Sequence, residues 1–191
     1  GEALEDNFGE SVSLSSDGNI VAVGAPTNDD NGISSGSVRI FEDISGSWSQ
    51  IGQDIDGEDI FNFSGNAISI SSDGNIVAIG AHYNNGNGNG SGHVRVYENI
   101  SNTWTQIGQD IDGEAADDKS GQSISLSSDG NIVAIGAPGN NKVRIYENIG
   151  GSWSQIGQDI DGEAINDYSG FSVSLSSDGN TVAIGAKEND G

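Results

Sequence analysis

Acidic side chains return at a fixed place in this sequence. Asp54, Asp56, Glu58 and Asp59 form one group. Asp110, Asp112, Glu114, Asp117 and Asp118 form a second, and Asp159, Asp161, Glu163 and Asp167 a third, with Glu2, Glu5 and Asp6 near the start. Carboxylates that converge among Asp/Asn/Gly-rich loops, with backbone carbonyls nearby, can make a calcium site of weak, extracellular affinity. The candidate calcium ligands are Asp54, Asp56, Glu58, Asp110, Asp112, Glu114, Asp117, Asp159, Asp161 and Glu163. A structural role competes for the same groups, namely capping turns and pairing with Arg39, Arg95 and Arg144, which recur in step with them. Carboxylate pairs also serve glycoside hydrolysis, but any acidic chain offers such pairs.

A second polar set varies where the first recurs. Asp29, Asp30 and Asn31, then His82, Tyr83 and Asn84, then Asn140 and Asn141 occupy one loop whose length and content change along the chain. These are the candidate ligand-binding residues. Trp48, Trp104 and Trp153 recur and are expected to pack between structural units rather than to stack on sugars. His82 and His93 occur in one unit only, and two isolated histidines do not make a metal site. No Ser, His and Asp show the spacing of a nucleophile motif, and the serines sit in strand alternation, so no catalytic residue is assigned. Asn-x-Ser sequons at Asn62, Asn89 and Asn99 matter only if the source glycosylates.

The elements that must position these groups are set by a repeat. Ser-Ser-Asp-Gly-Asn occurs four times, with its aspartates at Asp17, Asp73, Asp129 and Asp178, at spacings of 56, 56 and 49 residues. A period near 50 residues marks a stacked repeat architecture. The units run over residues 1–56, 57–112, 113–161 and, in part, 162–191. Within a unit the apolar residues alternate with the period of a strand, as in Val12 and Leu14. Asp17-Gly18 suits a tight primed hairpin turn. Ile20–Val23, Val38–Phe41 and the segment opening at Trp48 supply three further strands. Four short strands per unit make a propeller blade, so the expected fold is all-β, a β-propeller with about three and a half four-stranded blades in one segment. The one length change supports this parsing: Gly24 to Val38 and Gly80 to Val94 each span 14 residues, but Gly136 to Val143 only 7. The deletion falls wholly in the loop between strands 2 and 3, where no strand register is disturbed.

Composition sets the outer limits. A hydrophobic fraction of 33% with 30 glycines leans toward disorder, but stacked repeats bury their faces against neighbours instead of in one central core. A formal charge of −23 with six basic residues argues strongly against nucleic acid or anionic membrane as a partner. The absence of cysteine excludes disulfides and thiolate metal sites. No apolar run is long enough to insert in a membrane. The sequence reads as a segment of a longer protein, so the lack of a targeting signal says little about location.

Phe8-Gly9-Glu10-Ser11-Val12, Val23-Gly24-Ala25-Pro26 and Gly36-Ser37-Val38-Arg39-Ile40-Phe41 resemble the FG-GAP repeat, which builds the propeller of integrin alpha subunits and of many bacterial and algal surface proteins. Later units read Ser64-Gly65, Ser120-Gly121 and Ser169-Gly170 at the first motif, and Gly80-Ala81-His82, Gly136-Ala137-Pro138 and Gly185-Ala186-Lys187 at the second. Long arrays of this type are similar to those in large secreted proteins of marine bacteria. Many integrin-type repeats carry a D-x-D-x-D-G calcium loop between strands 1 and 2. Here that hairpin has one carboxylate, so Asp17, Asp73, Asp129 and Asp178 read as turn formers. The resemblance implies a non-catalytic extracellular or cell-surface segment that mediates adhesion or binds a protein or glycan ligand. The binding face would carry the 2–3 loops and 4–1 links. Remaining blades would come from the rest of the polypeptide or from another copy. A structural spacer in a large secreted array, or a glycan-active enzyme module, are the alternatives.

Overall fold

A computed structural model describes residues 3–190. Its strands repeat in the order the sequence implies. The first sheet holds β1 (Val12–Leu14), β2 (Ile20–Ala25), β3 (Ser37–Asp43), β4 (Trp48–Gln50) and β5 (Ile55–Asp56). The second holds β6 (Ala67–Ile70), β7 (Ile76–Ala81), β8 (His93–Asn99), β9 (Trp104–Gln106) and β10 (Ile111–Asp112). The third holds β11 (Ser123–Leu126), β12 (Ile132–Ala137), β13 (Lys142–Asn148), β14 (Trp153–Gln155) and β15 (Ile160–Asp161), and β16 (Ser169–Leu175) pairs with β17 (Val182–Ala186) to open a fourth. All strand pairings are antiparallel, and successive units also touch through parallel bridges at Gly36–Ser64 and Gly92–Ser120. The fold is the all-β, bladed arrangement read from the repeat, with Glu2 of the first acidic group outside the described residues.

The outermost strand differs from expectation because it is broken in two. β3 meets β4 through Phe41–Gln50, Glu42–Ser49 and Asp43–Trp48, but meets β5 through Val38–Ile55 and Ser37–Asp56. The register slips by two residues over Gly52 and Gln53, with Gly52 at φ +73°. That bulge is a socket for the next blade. The Trp104 indole Nε1 donates to Ile51 O at 2.9 Å, Gln53 Nε2 donates to Trp104 O at 2.7 Å, and Trp104 N donates to Gln53 Oε1 at 3.1 Å. Trp153 repeats the arrangement on Ile107 and Gln109. Trp104 and Trp153 are therefore interblade anchors.

The core lies between sheets. One apolar cluster joins Ala22, Val38, Ile40 and Ile55 of the first blade to Ile70, Val77, Ile79, Tyr97 and Trp104 of the second. Another joins Val94, Val96 and Ile111 to Leu126, Val133, Ile135 and Trp153. This explains why β2, β7 and β12 are apolar without alternation: both faces of each strand are covered. The first blade has no described neighbour on its outer side, so Val12, Leu14 and Trp48 remain exposed there.

The Ser-Ser-Asp-Gly-Asn hairpin is a five-residue loop, Ser15 to Asn19, and not a two-residue primed turn. Of Asp17 and Gly18, only Gly18 has positive φ. Side chains close it instead. Ser15 Oγ donates to Asp17 Oδ1 (2.7 Å) and accepts from Ile20 N (2.9 Å). Asp17 in turn accepts from Asn19 N (3.0 Å) and Asn19 Nδ2 (2.8 Å). The same set recurs around Asp73, Asp129 and Asp178. Such donors favour the ionised carboxylate and hold all four groups below the ordinary 3.8, Asp178 at about 2.

Two outcomes follow. Since the folded-state values are depressed, the stabilisation from these hairpins is complete above about pH 4 and is lost as pH falls toward 2. Denaturant midpoints measured from pH 5 to pH 2 should decline steepest below 4, and a flat profile would contradict the hairpin account. Trp104→Ala should cost about 3–5 kcal/mol in chemical denaturation. Trp48→Ala, at a residue 51% exposed, should cost less than about 1 kcal/mol.

Candidate functional site

The acidic residues of each blade converge on the first residue of its third strand. In the third blade that residue is Lys142. Its ammonium lies 2.8 Å from Asp159 Oδ2 and 3.5 Å from Asp161 Oδ1. Two positions on, Arg144 is 2% exposed, and pairs with Glu114 at 2.6 Å, Asp159 at 3.1 Å and buried Asp118 at 3.7 Å. The hydrogen bond from Lys142 holds Asp159 far below the ordinary carboxylate range, and the same bond raises Lys142. Here the carboxylates and two permanent cations form a closed ion-pair network.

In the second blade the same frame surrounds a histidine. His93, 1% exposed, stands opposite Asp112 in the β8–β10 ladder, as Lys142 stands opposite Asp161. His93 Nδ1 lies 3.7 Å from Asp110 Oδ2, 3.9 Å from Asp112 Oδ1 and 3.9 Å from Glu58 Oε2. None of these is a hydrogen bond. Arg95 pairs with Glu58 at 3.3 Å and donates to Asp56 O at 2.8 Å. Burial, and then the Arg95 guanidinium, push the imidazole down to about 4 against the pull of Asp110. Burial pushes Asp112 up. Among the described residues, the donor atoms of Glu58, His93 and Asp110 all lie within 4.8 Å of one another.

The first blade places Ser37 at the corresponding point, opposite Asp56. Ser37 Oγ and Asp56 Oδ1 are buried without hydrogen-bond partners, and burial raises Asp56. Asp54 accepts a hydrogen bond from Gln50 Nε2. The structure thus gathers Asp54 with Asp56, Glu58 with Asp110 and Asp112, and Glu114 with Asp159 and Asp161. Asp117 sits in the link at φ +64°, apart from these groups, and exposed Glu163 lines a separate surface cavity beside Asn141.

The variable loops are largely self-bonded. Asp29 Oδ1 accepts from Ser34 N (2.7 Å), Asp30 Oδ2 from Asn28 Nδ2 (3.1 Å), and Asn31 Nδ2 donates to Gly57 O (2.7 Å). Asn84 Oδ1 accepts from Gly86 N (2.8 Å). Asn141 replaces the deleted loop. In the longer loops Ser64 N and Ser120 N donate to the carbonyls of Ser35 and Ser91. In the third blade the equivalent Ser169 N donates to the Asn141 side-chain oxygen at 2.7 Å, while Asn141 Nδ2 donates to Ala164 O at 2.7 Å. A short 3-10 turn, Pro138–Asn140, carries the chain there, leaving Asn140 exposed.

The second blade forms a groove with aromatic walls. Asp59, Ile60, Phe61, Phe63, Tyr83, Asn85 and Asn89 line about 630 Å³ of open space. Tyr83 packs edge-on to Phe63 at 5.6 Å and on His82 at 4.3 Å, with Lys119 Nζ 5.7 Å from its ring centre. Buried His82 is pushed down to about 4 by burial and Lys119. Phe61 and Phe63 have φ of +59° and +54°. Bulky residues rarely adopt that conformation. The same pair of positions has positive φ in every unit, at Glu5 and Asn7, Asp117 and Lys119, and Asn166 and Tyr168; in the second and third units it lets Phe61 N and Phe63 N donate to Ile33 O and Ser34 O, and Asp117 N and Lys119 N to Asn89 O and Gly90 O. Sequence reading found Tyr83 and His82 but not Phe61, Phe63 or His93. The available signal was positional: Phe61 and Phe63 stand where other units have Glu5 and Asn7 or Asp117 and Lys119.

Residues 2–41 match the family model of the FG-GAP repeat. No curated protein matches the chain. Among solved structures, a functionally unknown protein from Desulfotomaculum acetoxidans DSM 771 is similar with a TM-score of 0.60 at 16% identity, over 93% of this chain and 48% of its own. Hydrazine synthase from Kuenenia stuttgartiensis gives 0.56 at 16% identity over 91% and 57%. A candidate 6-phosphogluconolactonase from Bacteroides fragilis NCTC 9343 gives 0.56 at 17% identity over 79% and 38%. The chain therefore spans between 38% and 57% of the length of these proteins. At such identities the likeness concerns the fold.

Asn141→Ala removes both hydrogen bonds that hold the shortened loop to the following link. A loss of about 1–3 kcal/mol is expected, read by chemical denaturation, with Asn140→Ala near neutral as the control.

Proposed function

We propose that this FG-GAP-like propeller segment is a non-catalytic, extracellular binding module that takes a glycan on the face carrying its 2–3 loops and 4–1 links. The observation that carries the reading is the second-blade groove. Tyr83 and Phe61, 42% and 50% exposed, offer ring faces to the C–H side of a sugar, and Asp59, Asn85 and Asn89 offer hydrogen-bonding groups at the rim. Aromatic side chains held at left-handed backbone positions carry a conformational cost of about 1–3 kcal/mol each. That cost falls where the groove is formed.

Calcium, the expected ion for the acidic groups, belongs with the oxygen-only donors of the first blade, where Ser37 and Asp56 hold buried oxygens without partners. The exposed Val12, Leu14 and Trp48 support a further blade against the first sheet, from the rest of the polypeptide or a second copy. The open space beside Ile156 and Gly157, lined also by Ile145, Leu175 and Val182, supports the same at the other end, as the counterpart of the socket that Trp104 fills. The self-bonded loops favour a second reading, a spacer with no ligand.

A glycan array probed with the protein separates the two readings. Binding that Tyr83→Ala weakens tenfold or more is the expected result. No bound glycan would leave the spacer, binding indifferent to Tyr83 would overturn the groove as the site, and turnover of reporter glycosides would replace both readings with an enzyme.

A further inference from the structure

The three complete blades present one electrostatic frame with three different centres. In the third, Glu114, Asp118, Asp159 and Asp161 face two permanent cations, Lys142 and Arg144. In the second, Asn62 stands where the third has Asp118, and Glu58, Asp110 and Asp112 face one permanent cation, Arg95. A buried imidazole, His93, takes the place of the Lys142 ammonium. Unlike that ammonium, which contacts its carboxylates directly, His93 Nδ1 stands back from all three by 3.7–3.9 Å. Those distances leave a gap bounded by one imidazole nitrogen and three carboxylate oxygens.

We propose that the second blade binds one divalent cation of the zinc class in this gap, through His93 Nδ1, Glu58, Asp110 and Asp112. Zinc takes nitrogen and oxygen ligands at about 2.0–2.2 Å in four-coordinate sites. Ligand atoms around such an ion lie about 3.3 Å apart by that geometry, so each separation from the imidazole nitrogen need contract by only about half an ångström, while the oxygens of Glu58 and Asp110, within 4.8 Å of each other, close further and Asp112 swings in as the fourth ligand. The carboxylates can supply this movement, since Glu58, Asp110 and Asp112 are 45%, 30% and 37% exposed, while the 2% exposed imidazole stays fixed. Two charges from the ion and one from Arg95 balance the three carboxylates. An imidazole donor selects zinc-class ions over calcium and magnesium, which prefer all-oxygen sets. The ion would tie the link at Glu58 to the outer strand at Asp110 and Asp112, steadying the link that carries Phe61 and Phe63. The sequence conceals this because the ligands lie 35 and 17 residues from His93 at the nearest in each direction.

The test is isothermal titration of the chelator-treated protein with zinc, followed in parallel by the imidazole proton signals of its two histidines. One equivalent of zinc should bind and move the His93 signal, and equal concentrations of calcium should not. His93→Lys, which copies the third blade, should weaken zinc binding at least a hundredfold and melt, metal-free, at or above the wild-type temperature. Asp110→Asn should weaken binding at least tenfold, and serves if the lysine variant fails to fold. His82→Gln should bind as the wild type does. Zinc binding unchanged in His93→Lys or Asp110→Asn would overturn the proposal. So would an absence of binding with His93 protonated at neutral pH, which would make its imidazolium the counterpart of the Lys142 ammonium.

Discussion

Successive blades approach so closely that only glycine can stand at the contact. A Cβ on Gly24 would lie 2.1 Å from Gly65 O, one on Gly80 2.2 Å from Gly121 O, and one on Gly136 2.0 Å from Gly170 O. These are the glycines of the two motifs that name the repeat, brought together across the blade boundary. Serines complete the contact: Ser11 Oγ donates to Gly65 O, and Ser123 Oγ to Gly170 O. Along the inner strands, Ser13, Ser69 and Ser125 accept hydrogen bonds from Ile70 N, Leu126 N and Leu175 N of the following blade. The inner part of the stack is thus held by backbone proximity and hydroxyls, and the outer part by Trp104 and Trp153. A chain with a 33% hydrophobic content can sustain this arrangement because its apolar residues are concentrated in the intersheet layers between those two seams.

That division explains which motif positions vary. The position before the motif glycine admits Phe8 in the first unit, where no described blade precedes it and its ring packs on Phe41 and Arg39. In the later units it holds a buried serine, and Ser64 and Ser120 meet Gly36 and Gly92 across the boundary. The glycine partner has no such freedom. The third blade's 2–3 loop is seven residues shorter, and where the longer loops offer the next link several backbone carbonyls, one asparagine side chain supplies it a donor and an acceptor.

Blade number, strand order, the indifferent loop and the anchoring tryptophans were legible from spacing alone, since each leaves a periodic trace. The split outer strand was not, because Ile51-Gly52-Gln53 is continuous in sequence and only the slipped pairing with β3 reveals the bulge. The hairpin was legible as a turn but not in kind: Asp17-Gly18 favours two residues in isolation, and the Ser15 hydroxyl, bonded to both Asp17 and Ile20, stretches it to five. The acidic groups were legible as a cluster on one face. Their arginine partners were legible too, since Arg95 and Arg144 recur in step with them; His93 and Lys142 were not, because they reach the carboxylates only through ladder register across the outer strand.

The position shared by Ser37, His93 and Lys142 shows how such a stack diversifies. It is the first residue of a buried strand, so its side chain works in a medium where unbalanced charge is costly. The surrounding carboxylates are needed in every unit, where they receive the strand arginine and bond the glutamine of the outer strand, as Asp159 does with Arg144 and Gln155. The centre is a place where the unit's charge changes without altering a strand or a seam. An ammonium closes the network, a serine leaves oxygens without partners, and a histidine stands between. A repeat with a fixed acidic frame and an exchangeable centre can therefore vary its appetite for cations from blade to blade while its geometry stays the same.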